Sequence, residues 1–182
     1  MVAVAFSGPQ RSVIGADVAR WDAIAGPKGL LGHMARREFR NLLYHRLSHS
    51  TQAARYVGRL LRALYRPEKT LYLNTADIGP GLYIQHGFAT IVAAKRVGAN
   101  VWINQQVTIG FIVTDGQVLS APTIEDGATI YAGAKVLGGV RVGRDATVGA
   151  NAVVVKSVPD GMTAVGVPAE NRETGRNARS AG

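Results

Sequence analysis

From residue 78 onward, an aliphatic residue returns at every sixth position of the chain. Residues 124–159 divide without a slip into six blocks, IEDGAT, IYAGAK, VLGGVR, VGRDAT, VGANAV and VVKSVP. Each block opens with Ile or Val and carries Ala or Val at its fifth place. Because a strand alternates faces every two residues and an α-helix repeats near 3.6, a period of six fits neither element alone. It fits a short strand followed by a corner.

Blocks of the same kind open upstream at Ile78, Val97 and Ile103. In a coil of three flat faces, the aliphatic first residue points into a shared core and the small fifth residue packs at the turn. Successive coils then stack at roughly 4.8 Å, the spacing of paired strands. We therefore predict a mainly β fold, a parallel β-helix of hexapeptide repeats over residues 71–172.

Residues 111–123 interrupt the repeat with a segment that contains Asp115-Gly116 and Pro122. A coil tolerates an insertion only at a corner, where the inserted residues project into solvent. We predict an extruded loop at this point. The sequence leaves open whether the loop serves a site or is a plain surface insertion.

Before residue 71 the apolar spacing is typical of helices. The first predicted helix has one apolar face, formed by Phe39, Leu42, Leu43 and Leu47. A second helix is expected between the candidate N-cap Ser50 and Pro67, with a face of Ala53, Ala54, Val57, Leu60, Leu61 and Leu64. We also predict a short helix around residues 17–25. Residues 1–70 thus form an N-terminal helical segment, and residues 173–182 a flexible basic tail.

Composition narrows the possible chemistry. The chain is 47% hydrophobic but only 7% aromatic, and it has no cysteine, which excludes disulfides and thiolate chemistry. No run approaches the ~20 apolar residues of a membrane span, and no signal peptide is evident, so we expect a cytoplasmic protein. The net charge of +9 suits either a polyanionic partner or a solvated arginine face. We do not expect nucleic-acid binding, because the repeats lack interleaved aromatic and basic residues.

Three stretches carry a resemblance to a known family: GPGLYIQHGFATIV (79–92), VTIG (107–110) and NAVVVKSVPDGMTAVGVPA (151–169). With the hexads, they resemble the hexapeptide-repeat acyltransferases, in particular the serine acetyltransferase branch and its relatives in capsule and glycan gene clusters. The resemblance covers about residues 71–172. It implies a left-handed β-helix, a homotrimer with further association through the N-terminal helices, acetyl-CoA as donor in a groove between coils, and no metal.

The same resemblance implies that His86, the only histidine of the repeat region, removes the proton from the acceptor hydroxyl. The repeat register supports this position, provided that one extra residue precedes Ile91. Four hexads then share one face, and they open at Ile84, Ile103, Ile130 and Val148. Their third residues form a column: His86, Gln105, Ala132 and Ala150. This column predicts a reactive imidazole at its His86 end and a shallow slot along the alanines. The alternative is that His86 forms hydrogen bonds and has no catalytic role.

A neutral imidazole can accept a hydroxyl proton near neutral pH. The charge that develops on the thioester oxygen needs N–H donors, and Gly110, at the exit into the loop, is a candidate. The resemblance places further cofactor contacts at Ala132, Gly133, Ala150 and Lys156. Lys156, together with Arg172, is a candidate for the CoA phosphates.

The chain departs from the serine acetyltransferases at charged positions. Gln85 stands where they carry Asp before the histidine, and Leu71 where they carry the Asp that pairs with it. Ser120-Ala121 replaces an Arg-His pair in the loop. Because the charged ends of free serine need such partners, we expect a neutral acceptor such as a sugar or glycan. The candidate acceptor-binding residues are Tyr83, Gln85, Gln105 and Gln106.

The leading hypothesis is therefore an acetyl-CoA-dependent O-acetyltransferase that acts on a sugar, a glycan or a similar small hydroxyl acceptor. A serine O-acetyltransferase remains an alternative within the same class. A non-catalytic β-helix that binds CoA or assembles a complex is an alternative of another class. A carbonic anhydrase on this scaffold would need several histidine ligands, and the repeats have one.

Overall fold

The computed structural model describes residues 8–114 and 117–174. Four helices come first: α1 (Gly8–Ala25), α2 (Gly29–His33), α3 (Arg37–Ser48) and α4 (Gln52–Leu64). Helix α1 is longer than the short helix expected from the sequence, and α2 has no counterpart in the prediction. The N-cap of α4 is Thr51 rather than Ser50, because the Thr51 side chain accepts a hydrogen bond from the backbone N–H of Ala54.

Short strands make up the rest of the chain. In chain order they are β1 (Leu71–Leu73), β2 (Tyr83–Ile84), β3 (Thr90–Val92), β4 (Arg96–Val97), β5 (Trp102–Ile103), β6 (Thr108–Gly110), β7 (Ile112–Thr114), β8 (Gln117–Ser120), β9 (Thr123–Ile124), β10 (Thr129–Ile130), β11 (Lys135–Leu137), β12 (Arg141–Val142), β13 (Thr147–Val148), β14 (Val153–Val154), β15 (Thr163–Val165) and β16 (Glu170–Arg172).

The strands form three parallel sheets, which are the faces of a triangular coil. The first face has the order β2-β5-β10-β13-β15, the second β1-β3-β6-β11-β14, and the third β4-β9-β12. Strand β16 adds to the end of the first face in the antiparallel sense. We call the corner between the first and second faces the first corner, the next one along the chain the second corner, and the corner that returns to the first face the third corner.

The core is the row of aliphatic residues that the hexads predict. The first residues of the six regular blocks are at most 1% exposed: Ile124, Ile130, Val136, Val142, Val148 and Val154. The alanines at the fifth places are completely buried: Ala128, Ala134, Ala146 and Ala152. Burial of one such aliphatic side chain contributes about 1.5–3 kcal/mol. The predicted parallel β-helix of hexapeptide repeats is confirmed.

The register of the second face corrects one detail of the prediction. Val92 pairs with Ile109 and is fully buried, whereas Ile91 pairs with Thr108 and is 40% exposed. Val92 therefore occupies the inward position that was expected for Ile91. Two extra residues, rather than one, precede it in the first coil.

Helices α1 and α3 are fastened to the first coil by a buried polar network. The Arg46 guanidinium donates hydrogen bonds to both carboxylate oxygens of Asp17 and to the carbonyls of Ile78 and Gly79. Asp17 also accepts a hydrogen bond of 2.8 Å from the backbone N–H of Gly81. Burial raises the pKa of the Asp17 carboxyl above its ordinary value, and the hydrogen bond from Arg46 opposes that rise.

The segment that interrupts the repeat leaves the coil at the second corner. Strands β7 and β8 pair in the antiparallel sense and form a hairpin. A Cβ atom at Gly138 would lie 2.7 Å from Cδ1 of Ile112, so the hairpin packs closely on the glycines of this corner. Of the predicted tail, residues 175–182 lie outside the described residues. Within the described ranges, no helix combines the length and apolar character that a membrane crossing requires.

Candidate active site

A bulge at the first corner presents His86. The hydrogen bond from the N–H of Gln85 to the carbonyl of Ile103 continues the regular register, and the next one runs from the N–H of Gln106 to the carbonyl of Phe88. The three residues 86–88 therefore lie opposite a single residue, Gln105, of the coil below. Bulges of this kind redirect side chains and occur beside active sites.

The backbone of the bulge is strained, and hydrogen bonds and close packing hold it in place. His86 has a φ of 55°, in the left-handed region that non-glycine residues seldom adopt. The buried Thr90 hydroxyl donates a hydrogen bond of 3.2 Å to the carbonyl of Phe88. A Cβ atom at Gly87 would lie 2.8 Å from Cγ2 of Ile84, so only glycine fits beside the histidine. Among the described residues, Ala89, Asn100, Gln106, Asp145 and Asn151 also have a positive φ, so His86 is set apart by the extra residues of the bulge rather than by its φ alone.

The His86 side chain is exposed, and it makes no hydrogen bond to any residue that the structure describes. Its imidazole is thus open to a substrate. Gln85, the residue before it, is half-buried on the first face. Gln105 is half-buried directly beneath the bulge, and Gln106 lies exposed at the turn. The structure therefore brings three of the four predicted acceptor-binding residues together with His86.

Below Gln105, the first corner carries the small residues of the predicted column. Ile84, Ile103, Ile130 and Val148 lie in register on the first face. Two places further along the chain, Gln105, Ala132 and Ala150 follow one another down the corner. Gly133 has a φ of 75°, and a Cβ atom there would lie only 2.0 Å from Oδ1 of Asn151. The backbone at Gly133 is therefore closely covered by the Asn151 side chain, and Ala132 and Ala150 add only methyl groups to the column.

Tyr83 is the fourth predicted acceptor-binding residue, and the structure places it elsewhere. Its side chain is 5% exposed and packs between Trp21 of α1 and Trp102 of β5, with ring centroids 4.8 Å and 4.9 Å away. The ring belongs to the interface between the helices and the first face. Tyr83 is thus corrected from an acceptor contact to a packing residue, because the helices cover this part of the coil.

The remaining predicted cofactor contacts lie at other corners. Gly110 ends β6 beside the second corner, and Lys156 is exposed at that same corner, after β14. Arg172 pairs with Thr163, near the third corner. Within one chain, the structure does not bring these three residues together with His86.

Two charged side chains that the sequence reasoning missed approach the first corner. The Lys135 ammonium donates a hydrogen bond of 2.6 Å to the carbonyl of Gln106. Glu38 of α3 reaches the bulge from the other side: its Cγ atom is 3.3 Å from where a Cβ atom of Gly87 would be. Lys135 is the last residue of the hexad IYAGAK, and this position next to the corner could have identified it from the sequence. No sequence pattern links Glu38 to the repeats.

The segment before β1 ties the bulge to α3. Asn41 donates hydrogen bonds of 3.0 Å to the carbonyls of Glu68 and Leu71. The Thr70 hydroxyl accepts a hydrogen bond from the N–H of Ala89 and donates one to Glu68. The backbone N–H and hydroxyl of Thr70 lower the pKa of Glu68 below its ordinary value. Helix α3 and the bulge are thus held together through residues 68–71.

No group of three metal-ligating side chains occurs within the described ranges. The arrangement at the first corner suits chemistry carried by an exposed imidazole beside a column of small residues. An imidazole can accept a proton from a hydroxyl, and the neutral amides around it can hold a polar acceptor.

Comparison with known proteins bears on the fold of the chain. Residues 121–156 match the family model described as bacterial transferase hexapeptide (six repeats). No curated protein matches the chain in sequence.

Several solved structures share the fold over nearly the whole chain. Serine acetyltransferase from Neisseria gonorrhoeae superimposes with a TM-score of 0.70 at 23% identity, over 95% of this chain and 70% of that one. The soybean serine acetyltransferase apoenzyme gives 0.67 at 28% identity, over 94% and 72%. A serine acetyltransferase in complex with CoA gives 0.64 at 26% identity, over 90% and 69%.

The predicted fold class and resemblance are confirmed by these matches. The chain is a left-handed parallel β-helix with an N-terminal helical segment, and it resembles the serine acetyltransferase branch of the hexapeptide-repeat acyltransferases.

Proposed function

We propose that this hexapeptide-repeat acyltransferase moves an acetyl group from acetyl-CoA to a hydroxyl of a sugar or glycan, with His86 as general base. The observation that carries the proposal is the exposed imidazole on a strained bulge, directly above a column of small residues that we take as the slot for CoA. The CoA-bound relative supports acetyl-CoA as the donor.

In this mechanism, a ring nitrogen of His86 accepts the proton of the acceptor hydroxyl as its oxygen attacks the thioester carbon. A new C–O bond forms, and the carbonyl electrons move onto oxygen to give a tetrahedral oxyanion. Collapse of this intermediate breaks the C–S bond, and the CoA thiolate takes the proton back from the imidazolium. Such proton transfer typically contributes about 10²–10⁴-fold to the rate.

The slot at the first corner suits the extended arm of CoA. Ala132, Gly133 and Ala150 leave room along the corner, and Lys135 adds a positive charge beside it. Gly110, Lys156 and Arg172 lie too far around the coil to act on the same slot from one chain. We propose that a neighbouring copy in a homotrimer brings its second or third corner to this slot and completes the site.

Further association through the helices is also part of the proposal. Leu31, Leu60 and Leu64 are apolar yet 86%, 64% and 67% exposed, so an apolar strip of α2 and α4 is not covered by the described chain. Native mass spectrometry tests both levels of assembly, because trimers support the shared site and hexamers support contacts through the helices. A monomer that is fully active would contradict the shared site.

The nature of the acceptor follows from the residues around His86. Gln85, Gln105 and Gln106 supply neutral donors and acceptors, which suit sugar hydroxyls. L-serine is the second candidate, because the solved relatives are serine acetyltransferases. Its carboxylate would need a cationic or N–H-rich partner when partly buried, and Leu71 and Gln85 are uncharged.

Purified protein incubated with acetyl-CoA and a panel of sugars, oligosaccharides and L-serine decides between the acceptors. Release of the CoA thiol reports turnover, and mass spectrometry identifies the ester. We expect turnover with at least one sugar. Turnover only with L-serine would refute the sugar assignment while preserving acetyl transfer.

Replacement of His86 by Ala tests the chemistry itself. We expect turnover to fall about 10²–10⁴-fold while CoA binding persists. His49→Ala is the matched control, since His49 is also exposed but lies in the helical segment. If the His86 variant keeps its turnover, His86 is not the base. If no acceptor in the panel reacts while CoA still binds, the chain is better described as a CoA-binding β-helix.

A further inference from the structure

The side chains that meet at Gly87 point to a partner for His86. A Cβ atom at Gly87 would lie 3.0 Å from Cδ2 of Leu71 and 3.3 Å from Cγ of Glu38. Leu71 belongs to the coil and is apolar, whereas Glu38 comes from α3. An acidic side chain from the helical segment thus approaches the bulge through its Cγ atom.

Hydrogen bonds fix helix α3 relative to the coil, and they therefore also fix the position of Glu38 beside the bulge. Asn41, one turn after Glu38, bonds to the carbonyls of Glu68 and Leu71 at 3.0 Å. Two turns after Glu38, His45 bonds to the carbonyl of Thr75 at 2.7 Å. Residues three or four apart share a helix face, so Glu38, Asn41 and His45 form one row that faces the coil.

The Glu38 carboxylate is not engaged elsewhere. Glu38 is half-buried, and it makes no hydrogen bond or ion pair within residues 8–114 and 117–174. The neighbouring Arg37 pairs at 4.0 Å with Glu68, whose carboxylate also holds Thr70. On the other side of the corner, the Lys135 ammonium is bonded to the carbonyl of Gln106. Glu38 is therefore the carboxylate available to the imidazole.

We propose that Glu38 is the positioning residue of His86, with its carboxylate accepting a hydrogen bond from one ring nitrogen. The other nitrogen is then left unprotonated to act as the base, and the ring is held in one orientation. An adjacent carboxylate also stabilises the imidazolium that forms during proton transfer. The effect of Glu38 on catalysis rests on the proposed function, whereas the hydrogen bond between Glu38 and His86 does not.

The test compares Glu38→Gln with Glu170→Gln, a matched loss of one exposed carboxylate at the other end of the first face from the bulge. The pKa of His86 is measured in the full-length protein, without ligands, by NMR titration of its ring protons, with assignment from the His86→Ala variant. We expect Glu38→Gln to lower that pKa by about one unit and Glu170→Gln to leave it nearly unchanged. Circular dichroism verifies that both variants fold.

Turnover with the best acceptor is the second measurement. We expect Glu38→Gln to lower turnover about ten-fold at an unchanged KM for acetyl-CoA, less than the loss of the base itself. A His86 pKa that is the same in the Glu38 variant as in the unmodified protein overturns the proposal. If turnover falls with that pKa unchanged, Glu38 acts on the acceptor instead, which also overturns it. If the pKa falls but the unmodified protein transfers no acetyl group, the pairing stands and the proposed function fails.

Discussion

His45 makes the stability of this protein depend on pH in a way that its position predicts. The ring is 7% exposed and its Nε2 atom lies 2.7 Å from the carbonyl of Thr75, so the neutral ring donates there. Burial lowers the pKa of His45 from 6.5 to about 4, although the bond to Thr75 acts in the opposite direction. Above pH 6.5 the ring is neutral in both the folded and the unfolded chain, and it has no effect on pH dependence.

Between pH 6.5 and about 4, the unfolded chain binds a proton that the folded chain does not. The free energy of unfolding therefore falls as the pH falls. One unit of pKa difference is worth about 1.4 kcal/mol, so the full loss is about 3 kcal/mol, and about 2 kcal/mol is already lost at pH 5.

The assay is urea denaturation at pH 7.5 and pH 5, at a fixed protein concentration, for the unmodified protein and for His45→Gln. The glutamine amide can still donate to Thr75 but does not titrate. We expect the unmodified protein to lose about 2 kcal/mol more than the variant between the two pH values. Equal losses in the two proteins would refute the argument that His45 is buried in its neutral form.

Two further predictions concern what holds the fold together. Ile130→Ala should lower the free energy of unfolding by about 2–5 kcal/mol, because the Ile130 side chain fills the interior of the coil. Ile91→Ala should lower it by less than about 1 kcal/mol, because Ile91 is partly exposed. If urea denaturation shows similar losses for the two variants, the register is contradicted. Arg46→Met should lower the free energy of unfolding by about 3–5 kcal/mol, because it leaves the Asp17 carboxylate buried without its cation. A double variant that also carries Asp17→Leu should lose less free energy of unfolding than Arg46→Met alone. Additive losses would show that the two residues act independently.

The six-residue period predicted the architecture because it is a local property of the chain. Each Ile or Val at the first place of a hexad enters the same core whatever the rest of the protein does. The repeat register placed His86 at the head of a column that ends in alanines, while its role as general base came from the family resemblance and stays a prediction. Errors arose where the period was broken: the inward residue of the first coil is Val92 rather than Ile91, because the bulge adds two residues.

The site depends on contacts that no local pattern records. Tyr83 has the sequence position of an exposed residue on the first face, but Trp21 of a distant helix covers it. Glu38 belongs to a helix whose sequence predicts only an amphipathic element, yet its Cγ atom lies beside the bulge at Gly87.

By itself, the sequence determined the coil, its inward rows and the identity of the single repeat histidine, since each depends on spacing along one chain. Only the tertiary structure decided how the bulge presents His86, which side chains the helices cover and which acidic side chain approaches the bulge. The physical reason is that packing between the helices and the coil joins residues that are far apart in sequence. Their proximity is set by the buried network of Asp17 and Arg46 and by the Asn41 bonds, rather than by any repeat.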